Sequence, residues 1–343
     1  MIAIKNVYYM LSYAFRILNE QGYKSIALEE FDNTADLCAS ILAKGITLQI
    51  KRGLLKEYIP VTETSNTIKG KIELNESIKK QSLINNKIVC TYDEFSSDAF
   101  MNQVLKSTMI MLLQADIKKE NKKQLRKILV YFNDVKEIDI THINWNFHYN
   151  RNNQTYRMLI SICYMVVKGL LQTQSDGSVK LMDFVDENRM SHLYEKFILE
   201  YYKKEFPMIK TSAAQIPWQL DDEENTFLPI MQSDIMLEYK DKILIIDAKY
   251  YSNILNEKYD NLTVSSGNIY QIFAYVKNKQ IEVGNDKEVA GMLLYAKTDE
   301  ENIPDVKYRM SGNDISVKTL DLNLEFAALK VQLNNIVAEY FEI

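Results

Sequence analysis

The sequence predicts an α+β N-terminal domain, residues 1–175, followed by an α/β domain, residues 176–343, with a mixed central sheet flanked by helices. Two observations support this prediction. The first half combines helical periodicity with short β-branched runs, whereas the second half follows the order helix, strand, strand, strand, helix, strand. The boundary is placed in QTQSDGSVK, residues 172–180, the most polar and turn-rich passage in mid-chain.

Apolar residues at helical spacing predict four helices in the first half, at residues 1–19, 33–48, 97–117 and 154–171. Strands are predicted at 87–93 and 142–149, and short strands with a loop at 50–74, where glycine and proline interrupt β-branched residues. The charge run KKENKKQLRK, residues 118–127, predicts a solvated helix face or turn, and the alternative is a surface for an acidic partner.

The second half is predicted to begin with a helix and to end with one. Its helices are predicted at 188–206, 265–277 and 322–341, and its strands at 211–218, 227–238, 242–250, 291–296 and 317–320.

The stretch SDIMLEYKDKILIIDAKYY, residues 233–251, organises this half. It predicts two strands joined by a two-residue turn at Lys240–Asp241. In that register Asp234 faces Asp247, with Cβ atoms about 4.5–5.5 Å apart. Lys249 follows two residues later and therefore points to the same face. The alternative is a slipped register that leaves both aspartates solvated at strand ends.

Two facing carboxylates are unfavourable without a cation between them. At about 4 Å and an effective dielectric near 20 they repel by roughly 4 kcal/mol. The apolar run Ile243–Ile246 predicts a strand buried on both faces, which is an unusual place for solvated charge. Aspartate oxygens are hard ligands suited to Mg²⁺, which would reverse the sign of the interaction.

Three further polar residues lie on the neighbouring predicted helices. Glu195 falls inside the apolar arc of helix 188–206, where a carboxylate needs a partner or a metal, unless its side chain reaches the surface. Gln271 and Tyr275 lie at i and i+4 on one face of helix 265–277, away from its apolar stripe.

These residues resemble the PD-(D/E)xK nuclease motif, a first Asp followed by (Asp/Glu)-x-Lys at the end of the next strand. The positions here are Asp234, Asp247 and Lys249, and Ser233 stands where the motif has proline. The element order is similar to the core of restriction-endonuclease-like domains. The Gln-x-x-x-Tyr spacing on the following helix and the glutamate on the preceding helix match RecB-like members.

Most of the chain resembles the McrC family, the nuclease subunit of the McrBC modification-dependent restriction system. The similar segments, in the family's order, are NVYYMLSYAF, RGLLKEY followed by IKGKI, and YDEFSSDAFMNQVLK. RMSHLYEKFI resembles the family's D-M-x-x-L-F-E stretch, with Arg189 in place of its Asp.

The resemblance implies a Mg²⁺-dependent endonuclease that cleaves double-stranded DNA containing methylcytosine. The implied metal ligands are Asp234, Asp247, the Ala248 carbonyl and Glu195. Lys249 is expected to orient the attacking water and to stabilise developing charge. Gln271 is expected to position the phosphodiester or the water, with support from Tyr275.

The resemblance also implies a partner, a McrB-like AAA+ GTPase ring that the N-terminal region enters and stimulates. This chain has no G-x-x-x-x-G-K-[ST] sequence, so no nucleotide is expected on it, and GTP belongs to the partner. The basic residues predicted to contact the partner are Lys51, Arg52, Lys56, Lys69 and Lys71, and an ordinary solvated face is the alternative.

Composition limits the other possibilities. The chain has 343 residues, 47% of them apolar, and a net charge of −5, so it predicts a packed core but no overall basic footprint for tight unassisted DNA binding. Its three cysteines show no metal-ligand spacing and predict reduced core residues of an intracellular protein. No membrane-spanning run or secretion signal is found, so a cytoplasmic location without membrane contact is expected.

Two other functions stay open at this point. One is a stand-alone RecB-like DNA-repair nuclease, which would cleave DNA without a nucleotide-bound partner. The other is a non-catalytic stimulatory subunit of a AAA+ GTPase, which metal-dependent cleavage would exclude.

Overall fold

The chain divides into two compact units, and one is inserted into the other in sequence. In this computed structural model the described residues are 4–15, 18, 23, 26, 29, 31, 33–151, 153–176, 187–222, 226–250, 255–258, 261–297 and 304–343. Residues 1–34 and 180–343 form one unit, which we call the split unit, and residues 35–179 form the other, which we call the inserted unit.

The helices, in chain order, are α1 (Ile4–Ala14), α2 (Thr34–Arg52), α3 (Leu74–Lys79), α4 (Phe100–Gln114), α5 (Lys119–Leu129), α6 (Tyr156–Asp176), α7 (Glu187–Glu205), α8 (Ser266–Val283) and α9 (Phe326–Phe341). The strands are β1 (Glu57–Ser65), β2 (Lys71–Ile72), β3 (Ile88–Ser96), β4 (Lys210–Ser212), β5 (Gln215–Ile216), β6 (Met231–Gln232), β7 (Ile235–Tyr239), β8 (Lys242–Lys249), β9 (Leu255–Lys258), β10 (Asn261–Val264), β11 (Glu288–Lys297), β12 (Val306–Met310) and β13 (Asn313–Asp321).

The inserted unit combines helices with a three-stranded antiparallel sheet of order β1-β3-β2. Asn102 on α4 forms hydrogen bonds both with the segment before β1 and with helix α6. Its Nδ2 donates to the carbonyl oxygen of Leu55 at 2.8 Å, and its Oδ1 accepts from the Tyr156 hydroxyl at 2.8 Å. All three cysteines lie in this unit, and each is free and buried, as the sequence predicted.

The predicted strand at residues 142–149 is wrong, because this segment pairs with no strand of the described chain. Its aromatic side chains pack against helices instead. The rings of Phe147 and Phe100 are 5.6 Å apart, and those of Trp145 and Tyr164 are 5.1 Å apart. The alternation of aromatic and polar residues therefore reflects packing on α4 and α6, not membership of a sheet.

The split unit is built on a mixed six-stranded sheet of order β12-β13-β11-β8-β7-β4. Strand β11 runs parallel to β8 and β13, and the other neighbours are antiparallel. Helix α8 covers one face, where Ile272 and Val276 pack with Ile243 and Ile245 in one buried cluster. On the other face, Leu244 lines a cavity together with residues of α9. The apolar run of β8 is thus buried on both faces, as predicted.

The N-terminal helix belongs to the split unit, which corrects the predicted domain of residues 1–175. Tyr9 stacks on Phe326 of α9 with ring centroids 4.0 Å apart. Asn6 Nδ2 donates to the carbonyl oxygens of Leu322 and Leu324 at 2.8 and 2.7 Å. Helix α1 therefore packs an aromatic side chain on the last helix of this unit and binds, through its amide side chain, the segment just before that helix, both far from it in sequence. The predicted boundary passage lies partly outside the described residues.

Helix α8 approaches the sheet closely at Gly291 of β11. A Cβ there would lie 2.7 Å from both Ile272 Cγ1 and Val276 Cγ2. We expect Gly291→Ala to lower the free energy of unfolding by about 1–3 kcal/mol, because α8 must shift away from the sheet. Thermal denaturation measures this loss. Gly267→Ala is the control, since its new Cβ would meet nothing closer than 3.7 Å, and equal losses in both variants would contradict this account.

Among the residues that the structure describes, none of the helices has both the length and the apolar content needed to cross a membrane.

Candidate active site

The β7–β8 hairpin has the register that the sequence predicted. Tyr239 pairs with Lys242 and Ile235 pairs with Ile246. Lys240 adopts a φ of 53°, as a tight turn between antiparallel strands requires. One step beyond the last pair, Asp234 faces Asp247, so the slipped register is excluded. Both aspartates lie at the end of the hairpin opposite its turn.

A chain of polar contacts leads from Asp247 to helix α8. Lys249 Nζ lies 2.8 Å from Asp247 Oδ2 and donates to Gln271 Oε1 at 3.1 Å. Gln271 Nε2 in turn donates to the Tyr275 hydroxyl oxygen at 2.9 Å. The structure therefore brings together five of the predicted site residues, namely Asp234, Asp247, Lys249, Gln271 and Tyr275. The i, i+4 spacing on α8 was the sequence signal for the last two.

The two carboxyl groups are held in an environment that disfavours their charge. Asp247 is 1% exposed, and neither of its oxygens receives a well-aligned hydrogen bond within the described part of the chain. Asp234 Oδ2 accepts a hydrogen bond from the Ala248 N–H at 2.9 Å. Burial, followed by repulsion from Asp247 and Glu195, raises the pKa of Asp234 well above its usual range. Burial also raises the pKa of Asp247, against the opposing effect of Lys249.

Glu195 lies near this pair but has partners on its own helix. Its Oε1 accepts from the Ser191 hydroxyl at 3.0 Å, and its Oε2 lies 3.1 Å from His192 Nδ1. Across the described residues, no three His, Cys, Asp or Glu side chains converge as a metal-binding group. The role of Glu195 as a ligand therefore stays a prediction. Sequence reasoning missed Ser191 and His192, although their spacing of four and three residues before Glu195 was a usable signal.

The residues at this site fit a divalent cation. Two facing carboxyls have raised pKa values, and one of them is buried with no well-aligned donor among the described residues, so a cation between them is stabilising. Both ligands are carboxylate oxygens, the hard donors that Mg²⁺ prefers. The Ala248 carbonyl as a further ligand stays a prediction, and the described contact of that residue is its N–H bond to Asp234.

We expect Asp234→Asn to stabilise the metal-free protein although it removes a site carboxylate. The substitution removes a carboxyl whose charged form is disfavoured first by burial and then by repulsion from Asp247, and repulsion of this kind is worth up to about 4 kcal/mol. Because the folded-state pKa of Asp234 is raised, the protonated folded form is favoured, and stability is lost as the pH rises from near 3.8 through the raised value. In EDTA, the Tm of the parent should therefore fall with rising pH relative to the variant.

The matched control is Asp241→Asn, which removes a carboxylate from the exposed turn of the same hairpin. This variant should follow the parent across the pH range. A lower Tm for Asp234→Asn than for the parent at neutral pH in EDTA would show that the Asp234 carboxyl does not destabilise the metal-free protein.

The five basic residues predicted to contact a partner lie on the inserted unit. Lys51 and Arg52 end α2 and are exposed. Lys69 and Lys71 on or beside the three-stranded sheet form ion pairs, both of 2.9 Å, with glutamates, and Lys56 Nζ lies 5.8 Å from the ring centre of Phe95. This region also exposes apolar surface: Phe95 pairs across the strands with Tyr58, and these residues are 56% and 73% exposed.

Comparison with known proteins identifies the family. The family model described as "McrBC 5-methylcytosine restriction system component" matches residues 4–296. The chain is 30% identical over 351 residues to a protein of Escherichia coli (strain K12) named Type IV methyl-directed restriction enzyme EcoKMcrBC, with 99% of each chain covered.

Two solved structures are also similar to this chain. One is the refined half-complex from the tetradecameric assembly of Thermococcus gammatolerans McrB AAA+ hexamers with bound McrC, at 18% identity and a TM-score of 0.49, covering 97% of this chain and 76% of that chain. The other is the cryo-EM structure of the Thermococcus gammatolerans McrBC complex, at 20% identity and a TM-score of 0.40, covering 59% of this chain and 58% of that chain. On the sequence matches, the chain belongs to the family of McrBC 5-methylcytosine restriction system components.

Proposed function

We propose that this chain is the Mg²⁺-dependent, PD-(D/E)xK-type endonuclease subunit of a GTP-driven restriction system that cleaves methylcytosine-containing double-stranded DNA. The observation that carries this proposal is the pairing of half-buried Asp234 with buried Asp247, with the Lys249 ammonium 2.8 Å from Asp247. Two carboxylates that can hold a metal and an ammonium that can stabilise developing negative charge suit metal-dependent phosphodiester hydrolysis. Membership in a family of methylcytosine restriction components supports the choice of substrate.

Asp234 and Asp247 would hold the metal, with the Ala248 carbonyl and Glu195 as candidate further ligands. When bound, Mg²⁺ polarises the scissile phosphate and acidifies a bound water. Lys249 is positioned by contacts on both sides, the Asp247 carboxylate and the Gln271 amide oxygen. Its ammonium orients the attacking water and stabilises the negative charge that develops on the phosphate oxygens.

Gln271 and Tyr275 support Lys249. Because the Gln271 Nε2 group donates to the Tyr275 hydroxyl, its Oε1 is turned toward Lys249 Nζ. The amide is therefore held in one orientation, and the Lys249 side chain has a fixed acceptor in the absence of DNA. Tyr275, the last residue in this chain of contacts, is buried and belongs to the apolar cluster between α8 and the sheet.

The second part of the proposal is that this chain acts together with a McrB-like AAA+ GTPase ring, and that its two units have different functions in that complex. One of the similar solved structures is a half-complex of McrB AAA+ hexamers with bound McrC, and the family to which this chain belongs supports a similar assembly here. The inserted unit would dock on the ring through its exposed sheet and raise GTP hydrolysis there. The split unit would cut the DNA that the ring delivers.

The test is cleavage of methylated and unmethylated duplexes by this chain with its ring partner, GTP and Mg²⁺. We expect cleavage of methylated DNA when all three are present, and none when any is left out. Cleavage of both duplexes by this chain and Mg²⁺ alone would instead support a stand-alone nuclease. Absence of cleavage together with normal stimulation of the GTPase would leave only the stimulatory role.

A further inference from the structure

Helix α5 of the inserted unit concentrates positive charge in a chain whose net charge is −5. Within its 11 residues it has one acidic residue, Glu120, and five basic residues: Lys119, Lys122, Lys123, Arg126 and Lys127. The sequence alone left this run open between a solvated face and a binding surface. The packing of the helix and the contacts of its cations distinguish between these alternatives.

The rotation of α5 about its axis is fixed by its buried side. Asn121, Leu125 and Ile128 are buried. Asn121 Nδ2 donates to Oδ1 of Asp36, a buried residue of α2, at 2.8 Å. At 3.6 residues per turn the five cations lie between roughly 100° and 240° around the helix from Asn121. All five therefore lie on the outward half of the helix, with four of them exposed and Lys122 half-buried, and they form one surface, which we call the basic face.

The cations of the basic face have no ion-pair partners among the described residues. No carboxylate of the described chain lies within salt-bridge distance of any of them, whereas Lys69 and Lys71 elsewhere in the same unit are paired with glutamates. Their spacing also places like charges three and four residues apart, which destabilises an isolated helix. Arg126 and Lys127 lie in the last turn, where the helix dipole favours positive charge. The other three cations gain no such stabilisation, so the stability of the helix does not explain the basic face as a whole.

We propose that the basic face of α5 binds the phosphate backbone of double-stranded DNA, in a unit separate from the catalytic one. This inference rests on the proposed function, in which a pair of carboxylates must act on a phosphodiester. Its five cations extend along about 12 Å of helix axis, and a duplex presents one phosphate charge per about 1.7 Å of its axis. Four of the five are lysines, flexible point charges that contact phosphates without reading bases.

DNA is favoured over an acidic protein surface by the uniformity of the basic face. Specific protein interfaces place aromatic and apolar residues at their centre and charged residues at the rim. Within α5 the outward side has no apolar residue between its cations, and the exposed Val130 and Tyr131 follow beyond its last residue. By contrast, the sheet of this unit exposes Tyr58 and Phe95 among mixed charges, as a protein-binding surface does.

The test is DNA binding by the full chain with Asp247→Asn in EDTA, where cleavage cannot occur. Fluorescence anisotropy would follow an unmethylated duplex several helical turns long as salt is varied. Lys119→Gln, Lys123→Gln and Arg126→Gln together should weaken binding and lower the slope of log K against log salt concentration by about 0.9 for each phosphate that the protein no longer neutralises. Glutamine keeps a high helix propensity, so circular dichroism should be unchanged.

The control replaces Lys79, Lys80 and Lys87, three exposed lysines of the same unit outside α5, with glutamine, and of these Lys79 pairs with Glu76. It changes the net charge equally and should leave most of the affinity and slope intact. Equal losses in the two triple variants, an unchanged slope in the α5 variant, or no binding by the parent at about 50 mM salt would overturn the proposal.

Two further outcomes separate this inference from others. If the α5 variant bound DNA like the parent but failed to bind the GTPase ring, the basic face would be a protein-docking surface and the proposal would be wrong. Cleavage by the Asp247→Asn protein with Mg²⁺ would refute the active site, and the salt dependence in EDTA would still decide the role of α5.

Discussion

Replacing Asp247 with Asn or Lys249 with Ala should reduce DNA cleavage by roughly a hundredfold to a thousandfold or more, the loss seen when one preorganised charge-stabilising group is removed from an active site. Asp247 is 1% exposed and Lys249 is 15% exposed, so water cannot readily take the place of either group. Initial rates of cleavage of methylated DNA, with partner and GTP at saturation, measure this effect.

The control for the cleavage experiment is Asp241→Asn, whose carboxylate lies on the exposed turn of the same hairpin. It should cleave like the parent. The site variants should also unfold cooperatively, because the register of the hairpin depends on the apolar cross-strand pairs of β7 and β8, such as Ile235 with Ile246, and not on the charges. They should stimulate the partner GTPase normally. Full cleavage by Asp247→Asn would show that another group holds the metal.

Replacing exposed side chains on and near the three-stranded sheet of the inserted unit should abolish most of the stimulation of the partner GTPase. Replacing Lys51, Arg52, Lys56, Lys69 and Lys71 with Ala should lower the stimulated GTP turnover. Two of these lysines already pair with glutamates, so their charge is partly neutralised in the free protein. We therefore expect a larger loss from Tyr58→Ala with Phe95→Ala, since exposed aromatic residues often dominate binding energy, at about 2 kcal/mol or more each.

GTP hydrolysis by the ring at a series of concentrations of this chain measures that loss. Fragment 35–179 should stimulate the ring by itself, because it forms a compact unit without α1. The triple glutamine variant of α5 is the control and should stimulate normally. Stimulation by the split unit alone, or normal stimulation by the Tyr58 and Phe95 double variant, would contradict the assignment of docking to this sheet.

The hairpin was predictable because local sequence determines it. A polar turn and an apolar run set the register of β7 and β8, and the register alone places Asp234 opposite Asp247. Helix periodicity likewise located α8 and the i, i+4 pair that it carries. The contact between Lys249 and Gln271 was not predictable in detail, because it depends on the close approach of α8 to β11 at Gly291.

Three other features escaped prediction for physical reasons. Strand β12 lies at the edge of the sheet and is mostly exposed, so it needs no apolar pattern, and its Lys307 and Arg309 pair with Asp314. The aromatic segment 142–149 has the composition of a strand but packs on helices. Amphipathic periodicity identified α1 but could not say which unit covers its apolar face.

The place of α1 in the split unit has a consequence for how the protein is made. Asn6 and its acceptor Leu322 are separated by 316 residues in sequence. At the usual rate of synthesis, roughly 15–60 s pass between the synthesis of the N-terminal helix and that of the C-terminal segment on which it packs. The inserted unit is complete by residue 179 and can fold in that interval. During synthesis the proposed docking surface of the inserted unit would thus form before the active site of the split unit. A chain whose synthesis stopped early would have the docking surface but no active site.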